Sequence, residues 1–218
     1  MNEQFNELFD AWAASYDDTV YGGDLEYREV FRNYEMILQK ISDCAHGHVI
    51  EFGVGTGNLT KKLVENGLEV IGIEPSENMR SIARKKLPDV KIRKGNFLSF
   101  PSSDKKVDTI VSSYAFHHLT DCEKEQAIKL YSRILATRGK IIFGDTIFEN
   151  KEKQEAAYLQ AKKKEYHRLA KDLQTEYYTT IPQMKQILDK YGFTTKFEQM
   201  NDFVWIMEAK YEGKPKLA

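Results

Sequence analysis

Cysteine is scarce in this chain of 218 residues: Cys44 and Cys122 lie far apart, which excludes a disulfide framework and offers no metal-ligand spacing. No apolar run is long enough for a membrane span and no segment reads as a signal peptide, so a reducing cytoplasm is the expected location. An excess of one charge sign is also lacking. Thirty-two Lys and Arg against 33 Asp and Glu leave a formal net charge of −1, which gives no global attraction to nucleic-acid phosphates or anionic membranes. No internal repeat or long linker appears. What remains, 41% hydrophobic and 30% charged residues, suits one domain with a sizeable core.

Apolar runs near 48–52, 69–73, 90–94, 107–112 and 140–144 read as strands, and segments near 58–66, 76–86 and 122–136 read as helices. That alternation predicts an α/β fold on a parallel sheet. Apolar residues from Tyr27 through Val30, Phe31, Tyr34, Ile37 and Leu38 to Ile41 predict one further helix, packed on the sheet edge. Near the end, TTKFEQM and FVWIMEAKY flank Asn201-Asp202, a pair suited to a hairpin turn, so the last strand is expected to be antiparallel.

The most informative stretch is VIEFGVGTGNLT, residues 49–60. Gly53, Gly55 and Gly57 remove every Cβ where the strand turns into a helix, so a ligand can approach the backbone and the helix N-terminus. The dinucleotide fingerprint G-x-G-x-x-G would need its third glycine where Asn58 stands. Glu51, two residues before the first glycine, is expected to face the ligand and repel a pyrophosphate. A cationic ligand suits this loop better than a dinucleotide.

These residues resemble the first motif of the class I S-adenosyl-L-methionine-dependent methyltransferases, and the resemblance extends over residues 5–211. It implies a Rossmann-like, seven-stranded, mostly parallel sheet of order 3-2-1-4-5-7-6, the last strand antiparallel, with helices on both faces. It implies that Glu51, Gly53, Gly55 and Gly57 hold the amino-acid part of the cofactor and that Glu74 holds the ribose. Asn96 and Phe97 match the adenine positions, with Pro75, Met79 and Ser112 on the same site, and Tyr16 matches a lid aromatic. The N-terminal FDAWAASYDD and the HHL loop are most similar to the YrrT-like bacterial methyltransferases. The division that follows is one domain: a helical lid (1–46) carrying Phe9, Trp12, Tyr16 and Tyr21, a cofactor-binding core (47–147), a helical insertion (148–180), a C-terminal helix and hairpin (181–211) and a polar, frayed tail (212–218).

The insertion reads as one charged helix with Tyr158, Leu159, Tyr166, Leu169, Ala170 and Leu173 on or near one face, and its KKKEYHRLAK run as a solvated face, since glutamates interleave with the lysines. The loop Ser112 to His118 leaves the fourth strand where a methyl acceptor would sit. His117 is the candidate general base, because imidazole titrates near neutral pH, with His118 behind it. Tyr114 is a candidate for orienting the acceptor, and Asp145 for binding an amine or capping the loop. Asp17-Asp18 and His117-His118 are adjacent pairs without a ligand set, so no metal is expected. The predicted function is metal-free methyl transfer to a small molecule, with no nucleic-acid or membrane partner and the oligomeric state open. The alternatives are a noncatalytic cofactor-binding module and a nicotinamide-dependent oxidoreductase, the latter disfavoured by Asn58 and Glu51.

Overall fold

The computed structural model describes residues 10, 12–101 and 106–213. Phe9 and all but the first two residues of the predicted tail lie outside the described residues. After a helical turn at Tyr16–Asp18 and a wide turn at Thr19–Gly23, the chain runs α1 (Tyr34–Cys44), β1 (His48–Phe52), α2 (Asn58–Glu65), β2 (Glu69–Glu74), α3 (Glu77–Lys86), β3 (Lys91–Lys94) and β4 (Val107–Ser113). A 3-10 turn at Phe116–His118 leads to α4 (Asp121–Ile134) and β5 (Leu135–Phe148). Then follow α5 (Lys151–Lys163), α6 (His167–Thr175), β6 (Thr179–Thr180), α7 (Ile181–Lys190), β7 (Phe193–Gln199) and β8 (Val204–Tyr211).

The sheet order is β3-β2-β1-β4-β5-β8-β7, with β6 paired to β5 beside that path. Leaving out the two-residue β6, this is the predicted order; counting it, the sheet has eight strands. β8 is antiparallel to both β5 and β7, as expected. The hairpin turns at Asn201, whose Oδ1 accepts from the amides of Phe203 (2.8 Å) and Val204 (2.7 Å). Its Nδ2 donates to the carbonyls of Val30 and Arg32, which ties the hairpin to the segment ahead of α1.

Strand alternation divides the core between two faces. Ile50, Phe52, Ile110, Ile141 and Phe143 pack with Ala127, Ile128 and Tyr131 of α4 and with Met184, Ile187 and Leu188 of α7. Val49, Val70, Val111 and Ile142 pack with Ile37, Leu38 and Ile41 of α1, with Leu59 and Leu63 of α2 and with Leu169 and Leu173 of α6. Helices therefore cover both faces.

Four expectations need correction. The helix predicted from Tyr27 begins only at Tyr34, because Asn33 is left-handed (φ 67°); Val30 and Phe31 keep the apolar spacing by burying themselves from irregular backbone. That helix crosses the sheet face, not its edge. A Cβ on Gly144 in β5 would come within 2.8 Å of Ile41 Cδ1 and 3.1 Å of Ile37 Cγ2, so the bare backbone there admits α1. β5 also extends well past 140–144, since it starts at Leu135 opposite Val107 and runs on beside β8 and β6. The insertion is two helices broken around Glu165 (φ 59°), and Leu159 projects into solvent at 55% exposure.

Candidate active site

The loop from Gly53 to Gly57 crosses the C-terminal ends of β1 and β2, above a switch point of the sheet. Gly53 has φ 69°, and a Cβ there would lie 2.7 Å from Ala115 Cβ, so the backbone passes close to the β4 loop. The Gly55 amide donates to Glu74 Oε2 at 2.8 Å, and the Ser76 amide to Glu74 Oε1 at 2.9 Å. One oxygen of this buried carboxylate is thereby tied to the glycine loop and the other to the turn that follows β2. Burial pushes the Glu74 carboxyl up to about 7, against the lowering effect of those two amides. Ser76 caps α3 by accepting from the Met79 amide, as its place before the helix predicts. Buried Arg80 donates to the carbonyls of Glu74 and Pro75 and fixes the turn between strand and helix.

One cavity joins the cofactor candidates to the acceptor candidates. Gly53, Gly55, Glu74, Pro75, Met79, Asn96 and Phe97 line one part, with Trp12 and Tyr16 from the N-terminal segment. Asn96 Oδ1 is committed to the amides of Leu98 and Ser99, which shapes the loop after β3. Phe97 packs face to face on Phe52 at 5.4 Å. Burial and the neighbouring Tyr114 hold the Tyr16 phenol well above its ordinary range. The N-terminal segment is strapped down by Asp17, which accepts from Thr56 Oγ1 (2.6 Å) and Asn58 Nδ2 (3.0 Å) of the glycine loop and meets Lys86 Nζ at 2.6 Å.

Three of the predicted cofactor residues do not line the cavity. Gly57 turns its missing Cβ toward Leu87 and Ala83, so the bare backbone there admits α3. Ser112 is buried in β4 with its Oγ unpartnered among the described residues, and its neighbour Ser113 reaches the cavity instead, as strand alternation requires. Glu51 lies fully buried on the α1–α2 side of the sheet, where Oε2 accepts from Thr60 Oγ1 at 2.6 Å and Oε1 has no partner among the described residues. It does not face the cavity as predicted; its place in β1 points it under the loop.

Burial pushes the Glu51 carboxyl up to about 8, opposed by the Thr60 hydrogen bond. A folded pKa above the unfolded one means that this group's contribution to stability is complete below the unfolded carboxylate range and is lost as pH rises through about 8. The ligand-free protein is therefore expected to lose up to about 1.4 kcal/mol of stability per pH unit from Glu51 across the neutral range, and Glu51→Gln to remove that slope. Thermal melts at pH 6, 7 and 8 check this; parallel slopes for the two proteins would contradict it.

The acceptor part of the cavity is lined by Tyr27, Phe31, Tyr114, His117, His118 and Tyr178, with the carboxylates Asp172 and Glu176. Tyr114 is 8% exposed, has φ 52° and carries a hydroxyl without a partner among the described residues. His117 Nδ1 lies 2.5 Å from Asp145 Oδ1, while Asp145 Oδ2 accepts from the amides of Phe116 (2.6 Å) and His117 (3.1 Å). Asp145 sits within β5 and both caps the loop and sets the imidazole. Burial presses His117 down, but the Asp145 charge and hydrogen bond leave it raised overall. His118 is lowered, first by burial and then by His117, and its Nδ1 pairs with Glu176 Oε2 at 2.9 Å.

The sequence shows no ligand set here, yet His117, His118 and Glu176 bring one donor atom each within 4.8 Å of one another. Folding of the insertion carries Glu176 there from 58 residues away in the chain. Asp172, Glu176 and Tyr178 escaped sequence reasoning altogether. They belong to a segment whose only local signal is helical amphipathy, and nothing in that pattern says which polar residues face a cavity.

Residues 49–139 match the model of a methyltransferase domain family. An uncharacterized methyltransferase of Anoxybacillus flavithermus is 54% identical over 209 residues, covering 96% of this chain and 99% of the relative. Among solved structures, magnesium protoporphyrin IX methyltransferase (ChlM) from Synechocystis PCC 6803 with bound SAH aligns with a TM-score of 0.71 at 17% identity, covering 96% of this chain and 99% of its own. The DhpI-SAH complex aligns at 0.69 and 17% identity, covering 97% and 96%. Those two likenesses concern the fold; the extensive identity to the Anoxybacillus relative, joined to the glycine loop and the cavity it borders, makes this chain a member of the methyltransferase family.

Proposed function

We propose that the chain transfers the methyl group of S-adenosyl-L-methionine to a small-molecule acceptor. The continuous cavity running from Glu74 and Gly55 to Tyr114 and His117 carries this reading. Glu74 would receive the ribose hydroxyls, the loop at Gly53 and Gly55 the amino-acid part, and Asn96, Phe97, Pro75 and Met79 the adenine, with Tyr16 closing over the top. Bound in this way, the cofactor would supply an activated methyl on a sulfonium. The protein's task is to hold that methyl and the nucleophile in line, which can be worth roughly 7–11 kcal/mol.

His117 would take the proton of an acceptor that carries one, with Asp145 fixing its Nδ1 and leaving Nε2 for the substrate. Tyr114, with its unspent hydroxyl, would orient the acceptor. Among the described residues no Lys or Arg lines the cavity, which favours a small molecule over a phosphate backbone. Among the described residues no helix is long and apolar enough to cross a membrane. The proposal keeps the division into lid, core, insertion and C-terminal hairpin, and a cytoplasmic location.

Calorimetric titration with S-adenosyl-L-methionine, S-adenosylhomocysteine and NAD tests the cofactor: the first two are expected to bind and NAD is not. Release of S-adenosylhomocysteine over a panel of small amines, thiols and hydroxyl compounds then finds the acceptor. Binding without release over the whole panel would support the noncatalytic alternative. Once an acceptor is in hand, His117→Ala is expected to cut turnover by about 10²–10⁴ while cofactor affinity stays within about twofold. Full turnover in that variant would remove the base assignment.

A further inference from the structure

We propose that His117, His118 and Glu176 form a binding site for a divalent transition-metal ion of the zinc class at the acceptor end of the cavity. The donor set is two imidazoles and a carboxylate, within 4.8 Å of one another, all on the cavity wall. Three protein ligands with a position open toward a cavity is the arrangement of catalytic zinc sites.

The surroundings prepare the site. Asp145 occupies His117 Nδ1, so the nitrogen left for an ion is Nε2, and the carboxylate fixes the ring plane behind it. His118 Nδ1 and Glu176 Oε2 stand 2.9 Å apart. Tetrahedral zinc, with bonds near 2.0–2.2 Å, holds its ligand atoms about 3.3 Å apart. An ion replacing the proton between these two groups therefore asks for a movement of a few tenths of an ångström there, while the widest donor separation, up to 4.8 Å, has to close by about 1.5 Å. The two ligand-bearing segments are also fastened together. The Tyr177 amide donates to the His117 carbonyl at 3.2 Å, and buried Lys124 donates to the carbonyls of Leu119 and Tyr177, the residues that follow His118 and Glu176. Fastening the two segments before the ion arrives reduces the ordering cost of binding it.

The inference rests on the methyltransferase reading only for the ion's role. With an ion in place, His117 would give Nε2 to the metal and the acceptor's own donor atom would fill the open position, where the ion would lower that atom's pKa so that it enters as its anion, the proton passing to solvent water. Activation of the acceptor then passes from a base to a Lewis acid.

The test uses the full-length, tag-free chain, freed of metal by a chelator and titrated with Co²⁺ as a spectroscopic stand-in for zinc. One equivalent is expected to bind and to give ligand-field bands in the visible that Zn²⁺ abolishes. His118→Ala and Glu176→Gln, each checked for an unchanged far-ultraviolet circular dichroism spectrum, are expected to bind Co²⁺ at least about tenfold more weakly. A wild-type protein that gives no such bands, or bands of equal intensity and affinity in both variants, overturns the site; the wild-type result needs no variant to fold. S-adenosylhomocysteine titration of the same metal-free samples keeps the two readings apart. Cofactor binding without Co²⁺ binding removes the metal and leaves the transferase, with His117 as its base.

Discussion

Replacing Glu74 by alanine is expected to weaken S-adenosylhomocysteine binding by about 10²-fold or more, the largest loss from any single polar side chain in the cavity. Two ribose hydroxyls donating to a buried carboxylate form charge-assisted hydrogen bonds worth about 1.5–3 kcal/mol each, and both vanish together. The substitution also frees the Gly55 and Ser76 amides that the carboxylate holds at 2.8 and 2.9 Å, so the glycine loop loses its anchor to β2. Glu74→Gln keeps one acceptor oxygen and should fall between alanine and wild type. The same group predicts a pH dependence. Because burial puts the Glu74 carboxyl at about 7, acidification through that value adds a proton and takes away an acceptor site, so wild-type affinity should drop below pH 7 while that of Glu74→Gln stays flat. Calorimetry at pH 6, 7 and 8 measures both effects; equal affinities for wild type and Glu74→Ala would remove the ribose assignment.

Gly53→Asp is the second large effect, and it acts through three causes that add. A residue other than glycine at φ 69° costs about 1–2 kcal/mol. Its Cβ would stand 2.7 Å from Ala115 Cβ, too close for either to remain where it is, so the glycine loop must move away from the β4 loop. A new carboxylate would also enter the site near Glu74 and the cofactor's own carboxylate, repelling both. Together these are expected to abolish measurable cofactor binding at millimolar concentration while the sheet stays folded. Gly55→Ala is the control for shape: its Cβ meets no atom of the described residues within 4 Å, so stability should fall little more than the φ 57° penalty requires. Circular dichroism melts beside calorimetry separate loss of fold from loss of site. Wild-type affinity in Gly53→Asp would mean that the cofactor does not lie along this loop.

The sequence made the frame of this fold readable where local pattern and global need coincide. VIEFGVGTG announces a strand, a turn and a helix start because each residue type suits only that place, and Glu74 could be placed because it ends the next strand on the same side. Order along the sheet followed from the family resemblance, not from the pattern. What stayed hidden has a common cause: direction. Alternation decides that Ser113 and not Ser112 reaches the cavity, and a one-residue ambiguity at the end of β4 is enough to exchange the two in sequence. The charge of Glu51 suggests that it faces a ligand, whereas its position in β1 sends it to the α1–α2 side of the sheet, under the glycine loop. The Tyr27–Ile41 run looked like one helix because buried irregular backbone can imitate helical spacing, and only the left-handed Asn33 divides it.

The acceptor end was half legible. His117 and Tyr114 were visible as a polar loop leaving a strand, and Asp145 as a candidate loop cap. Their partners Glu176, Asp172 and Tyr178 come from the insertion, and a separation of some 58 residues between His118 and Glu176 leaves no periodic trace in sequence. The same is true of Asp17, whose bonds to Thr56 and Asn58 hold the N-terminal segment on the glycine loop. Contacts made across such distances depend on how helices dock, which is settled by the whole core.

The most direct measurement is a crystal structure of the complex with S-adenosylhomocysteine. The account predicts the ribose on Glu74, the adenine against Phe97 and Asn96, and the sulfur turned toward Tyr114 and His117, with the acceptor side of the cavity still open. A ligand whose ribose lies away from Glu74, or whose sulfur faces away from His117, would contradict it.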